Sequence, residues 1–69
     1  MKLETIENVK QLNEGDKIIY LWDYHEGNII INTIDEIKHD DTVVYLGDMG
    51  CPEYINETDI LEYFKVLEA

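Results

Sequence analysis

The side chains of this sequence that could do acid–base chemistry are its paired carboxylates: Asp35-Glu36, Asp40-Asp41, and Asp59 with Glu62 three residues on. Two carboxylates divide into acid and base only where a pocket pushes their pKa values apart. With sixteen Asp and Glu among 69 residues such pairs arise by chance, and a chain this short rarely encloses a pocket of that kind. Serine is absent, which excludes a serine nucleophile. Cys51 has His25 and His39 as conceivable bases, but Gly50-Cys51-Pro52 reads as a turn, and no Lys or Arg adjoins it to favour a thiolate. The expectation is a protein that is not an enzyme.

Metal chemistry fares no better. His25, His39, Asp40, Asp41 and Cys51 are candidate ligands, yet no CxxC, HxxxH or EF-hand spacing connects them. Both histidines fall in predicted turns, where a solvated ring is the usual outcome. No metal and no cofactor is expected.

The aromatic residues Tyr20, Trp22, Tyr24, Tyr45, Tyr54, Tyr63 and Phe64 allow two uses. Large rings can fill the interior of a thin β domain and its dimer contacts. Rings set beside acids can also form a groove for a Pro-rich peptide or a methylated lysine. The first use is favoured, with Trp22 and Tyr24 the residues expected at the surface.

Charge is the most distinctive property. Sixteen Asp and Glu face five Lys and no Arg, for a formal net charge of −11. Roughly 2–8 suffices to keep a small domain soluble, and self-repulsion at higher density opposes folding. Phosphate binders supply Lys and Arg, so direct binding to nucleic acid or to an anionic membrane is not expected. A basic protein is the partner that such a field attracts. Hydrophobic residues make up 45% of the chain, too many for a disordered acidic tail. Residues 1–69 read as one acidic β domain with a thin core. One cysteine allows no internal disulfide. The first residues lack a signal-peptide pattern, and no apolar run approaches ~20 residues, so a cytoplasmic location is expected.

The elements that must position these groups follow from periodicity. Leu3, Ile6, Val9 and Leu12 recur every three residues, suggesting a short helix or 3₁₀ turn capped by Thr5. Alternation predicts strands over 17–24, 29–37, 42–46, 53–55 and 65–67. His25-Glu26-Gly27-Asn28 reads as a hairpin turn, and Pro52 suits the start of a strand. Asp59-Ile60-Leu61-Glu62 has capping-box spacing for one helical turn through about Phe64.

Five short strands and one late helical turn suggest a small closed barrel, or else a curved antiparallel sheet with flanking helical turns. Leu12-Asn13-Glu14-Gly15-Asp16-Lys17-Ile18 resembles the opening of many SH3-like barrels, and Asp59-Ile60-Leu61 resembles the turn before their closing strand. That resemblance spans 12–67 and implies a fold, not a function.

Asp23, Glu26, Asp35, Glu36, Asp40, Asp41, Asp48 and Glu53 fall at predicted strand ends and turns. Strand residues two apart lie about 6.6–6.8 Å from each other on one face, an interval at which carboxylates can imitate backbone phosphates. In size and charge the chain resembles the small acidic phage proteins that disable host factors, among them DNA mimics that occupy the DNA-binding face of histone-like HU nucleoid proteins. The resemblance implies a DNA-mimic inhibitor acting in the host cytoplasm, with those eight acids as the contact surface. An RNA polymerase subunit and a CRISPR or restriction nuclease are further targets of that kind. Pairing into a homodimer would lengthen the acidic surface and enlarge the core. The rival expectation is an SH3-like peptide-binding adaptor using Trp22, Tyr24 and neighbouring acids.

Overall fold

The computed structural model describes residues 2–47 and 50–68. Six strands pair antiparallel throughout: β1 (Leu3–Thr5), β2 (Lys17–Tyr20), β3 (Ile31–Ile37), β4 (Val43–Leu46), β5 (Pro52–Ile55) and β6 (Phe64–Leu67). Their order is β1-β6-β2-β3-β4-β5, so the last strand inserts between the first two. Among the described residues β1 and β5 do not pair, and the sheet is open. The protein is mainly β, as the alternation implies, with six strands where the periodicity suggests five.

The additional strand is β1. Leu3 pairs with Leu67 and Thr5 with Lys65, partners sixty or more residues away, and Glu68 N–H donates to the Lys2 carbonyl at 3.0 Å. Thr5 therefore ends a strand instead of capping a helix. The 3₁₀ turn follows at Val9–Gln11 and is capped by Asn8, whose Oδ1 accepts from Lys10 N–H at 2.8 Å.

The strand expected over 17–24 stops at Tyr20, and α1 (Leu21–His25) replaces its second half. Gly27 is the cause. Its φ of +86° closes the helix. Gly27 N–H donates to the Tyr24 carbonyl at 3.1 Å, and Asn28 N–H donates to the Asp23 carbonyl at 2.9 Å. Both bonds belong to a glycine C-cap rather than a hairpin turn. β3 accordingly begins at Ile31, leaving Ile29 and Ile30 exposed.

Helix α2 (Glu57–Tyr63) starts three residues earlier than the capping-box spacing implies. Asn56 Oδ1 accepts from Asp59 N–H at 2.9 Å, while Glu57 and Asp59 sit at the positive end of the helix. α2 buries Ile60 completely and delivers Phe64 directly into β6.

Pairing and alternation assign the two faces of the sheet. Ile18, Ile34, Val43, Phe64 and Val66 face the core, which Ile6, Val9 and Leu12 of the N-terminal segment and Ile60 of α2 complete. Ile19, between Ile31 and Lys65, and Val44, between Glu36 and Tyr54, are buried on the other face. At Asp35 a β-bulge adds one residue to β3 between Ile34 and Glu36.

Ile60→Ala empties the centre of the contact between α2 and the sheet and should cost about 2–5 kcal/mol, most of what a core this thin supplies. Asn56→Ala should cost about 1 kcal/mol through the lost cap. Urea unfolding followed by circular dichroism checks both, and equal effects would refute this account of α2.

Candidate functional site

The apolar layer on the core face does not end where the buried residues end. It continues into a cleft of about 460 Å³ between α1, β5 and α2. Tyr20, Asn32, Tyr45, Glu53, Ile55 and Phe64 reach it from β2, β3, β4, β5 and β6, all from the core face by register. Asp23 of α1 and Asp59 and Tyr63 of α2 line it from the helices.

Three rings form the apolar wall. The Phe64 centroid lies 5.3 Å from Tyr20 at an interplanar angle of 37° and 5.5 Å from Tyr45 at 57°, within the range where tilted rings attract. Phe64 is buried and Tyr20 and Tyr45 half-buried, so the same rings serve core and cleft. Gly47 also lines the cleft, and a Cβ there would come within 3.2 Å of Glu53 Cγ. The missing side chain makes room for Glu53.

The electrostatics of the cleft register in Tyr45, whose hydroxyl pKa is raised, first by burial and then by the negative charge of Glu53. The Tyr20 hydroxyl adds a smaller push in the same direction. Glu53 thus sets a negative charge beside a half-buried phenol.

The eight acids singled out by sequence do not form one array. Asp23 and Glu53 line the cleft. Asp35 occupies the bulge, while Glu36 and Asp40 border a second hollow with Lys38 and His39 at the β3–β4 corner. Asp41, beside them in the turn, has a left-handed φ of +66°. The turn is closed by Asp41 N–H donating to the Lys38 carbonyl at 3.0 Å, and Thr42 N–H donates to Asp40 Oδ1 at 3.1 Å. Hydrogen bonds from the Thr42 hydroxyl and then its N–H hold the Asp40 carboxyl below its usual pKa. Glu26 lies apart as the exposed C-cap of α1, and Asp48 falls outside the described residues. The eight acids were expected as one contact surface; Asp23 and Glu53 line the cleft, whereas Glu36 and Asp40 border the hollow at the β3–β4 corner.

Trp22 and Tyr24 are exposed as expected, but on α1, and neither lines the cleft. Tyr54 is as exposed as Trp22, and Lys38 Nζ lies 5.8 Å from its ring centroid. Asn32 and Asp59 are site residues that sequence reasoning missed. Asp59 stands out in the sequence as half of a carboxylate pair and as a helix cap, with nothing to tie it to a cleft, and a single Asn within a strand gives no periodic signal. Cys51 is exposed. Among the described residues no group of three or more His, Cys, Asp or Glu is placed to hold a metal ion, and no helix is long and apolar enough to cross a membrane.

Because the folded pKa of Tyr45 lies above the unfolded value near 10, the stability it contributes is complete below about pH 10 and is lost as pH rises through the folded value. Glu53→Gln should move the Tyr45 transition down, though not fully to the free value, since burial remains. An ultraviolet titration of tyrosinate in both proteins measures this. An unmoved transition would show that Glu53 does not set the field in the cleft.

No family model matches the chain, and neither the curated proteins nor the solved structures contain a match to it.

Proposed function

We propose that this domain is an inhibitor that docks on a basic DNA-binding protein and excludes DNA from it by imitating the charge of the duplex. The observation that carries the reading is the absence of internal neutralisation. Asp48 aside, every Asp and Glu is exposed or half-buried. Among the described residues two ion pairs form, Lys2 with Glu68 at 3.2 Å and Lys38 with Glu36 at 3.6 Å. Both are exposed pairs of the kind that contributes little to stability. The net charge of −11 is therefore left to act on the surroundings.

A field of that size accelerates encounter with a positive surface and opposes encounter with nucleic acid. The β3–β4 corner places Asp35, Glu36, Asp40 and Asp41 within seven residues on a bulge and a closed turn. The Thr42 N–H restrains the Asp40 carboxylate, one of those that would stand in for phosphates. The Thr42 hydrogen bonds that lower the Asp40 pKa favour its ionised form. The mechanism is exclusion, and no residue performs a reaction. Nucleoid proteins of the HU type are the first target, on the resemblance in size and charge. The scaffold is proposed to be an SH3-like barrel left open between β1 and β5.

A peptide-binding module is the second reading, favoured by the ring-lined cleft. Salt separates the two. Affinity of the decoy for an HU-type protein should fall roughly tenfold or more between about 50 and about 200 mM salt, and duplex DNA should displace it. Asp40→Lys with Asp41→Lys should weaken binding while the circular dichroism spectrum stays unchanged. Binding that ignores salt, DNA and the double reversal would refute the decoy and leave the peptide module.

A further inference from the structure

Asn32 is the one polar residue in the core of the described structure, 8% exposed on the same sheet face as Ile18 and Ile34. Its carboxamide takes part in none of the side-chain hydrogen bonds among the described residues. Yet no fully enclosed side-chain nitrogen or oxygen is left without a partner there. Both facts hold together if the carboxamide reaches open space, and Asn32 lines the cleft. A buried amide is normally paired. Here its donors and acceptor are available only to whatever enters.

The cleft surrounds that amide with two further kinds of group. Tyr20, Tyr45 and Phe64 present ring surface. Asp23, Glu53 and Asp59 present carboxylates from three different elements. Ring faces attract cations, and more strongly where water is excluded. Carboxylates supply charge-assisted acceptors, and the Asn32 carbonyl oxygen supplies a neutral one. Neither an anion nor a purely apolar group suits such a lining. A volume of about 460 Å³ admits a side chain with its aliphatic stem.

We infer that the cleft is a seat for one cationic side chain, ammonium or guanidinium, presented by the basic protein partner. The stem packs on Tyr20, Tyr45 and Phe64, the charge faces Asp23, Glu53 and Asp59, and the Asn32 carboxamide oxygen accepts an N–H from the charged end. The inference rests on the reading of this domain as a binder of basic proteins. It adds a shape-selective anchor to what charge alone would leave unselective.

The test uses three small probes on the isotope-labelled full chain: Nα-acetyl-lysine methylamide, its arginine counterpart, and its norleucine counterpart, which keeps the stem and lacks the charge. The lysine or arginine probe should shift the Asn32 side-chain amide and the Tyr45 and Gly47 backbone signals, and norleucine should not. Whichever cationic probe binds more tightly identifies the group. Glu53→Gln with Asp59→Asn should weaken that binding roughly tenfold. Asp40→Asn with Asp41→Asn should leave it unchanged. Shifts confined to 35–41, an equal response to norleucine, or no response in the cleft would overturn the inference. Failure here with an HU-type protein still bound in a salt-dependent way would leave the decoy standing. Cationic probes seated in the cleft, with no basic DNA-binding protein bound, would overturn the decoy alone.

Discussion

A single thin apolar layer holds this chain together against its own charge. Ile18, Ile34, Val43, Ile60, Phe64 and Val66, with Ile6, Val9 and Leu12, form one cluster between the sheet and the segments crossing it. Opposing that layer is a net charge of −11 on 69 residues. The compromise is visible in every acid, since none of those described is buried. Burying an unpaired carboxylate is far too costly for so small a core, and five lysines cannot pair with sixteen acids. The layer thus fixes where the charge must go, and the proposed function begins from that placement.

The cleft is where the same layer runs out. Phe64 is buried and packs on Tyr20, its cross-strand partner, and on Tyr45, so one ring contributes to stability and to the wall of the site. Such sharing is economical for a small domain, and it couples the two properties. A change at Phe64 would alter fold and binding together, whereas Glu53 and Asp59 can change the site with little effect on the core. Gly47 belongs to the same design, because its missing Cβ lets Glu53 lean across the β4–β5 turn.

Two acidic patches act on different scales. The acids of the β3–β4 corner are exposed or half-buried around a shallow hollow, which suits long-range attraction that salt screens. The cleft is concave, and there burial and then the charge of Glu53 raise the pKa of Tyr45. Attraction by the first and selection by the second would divide the work of recognising a basic protein between rate and specificity.

Much of the fold was legible in the sequence because it follows from local period. Ile6, Val9 and Leu12 are buried at their three-residue spacing, β3, β4 and β5 lie where alternation places them, and Pro52 opens an edge strand. Leu21 to Tyr24 departs from the expected strand because four residues of bulky and polar side chains satisfy strand and helix periods equally well. Only the left-handed φ of Gly27 and its two backbone bonds decide for a helix. Composition likewise established the excess of negative charge and the absence of a serine nucleophile. Tertiary structure alone decided the pairing of β1 with β6, the split of the acids into two patches, and the meeting of Tyr20, Asn32, Tyr45, Glu53, Asp59 and Phe64 around one cleft. Those residues come from six elements spread over more than forty positions, and no local period records a contact that exists only after β6 has inserted between β1 and β2.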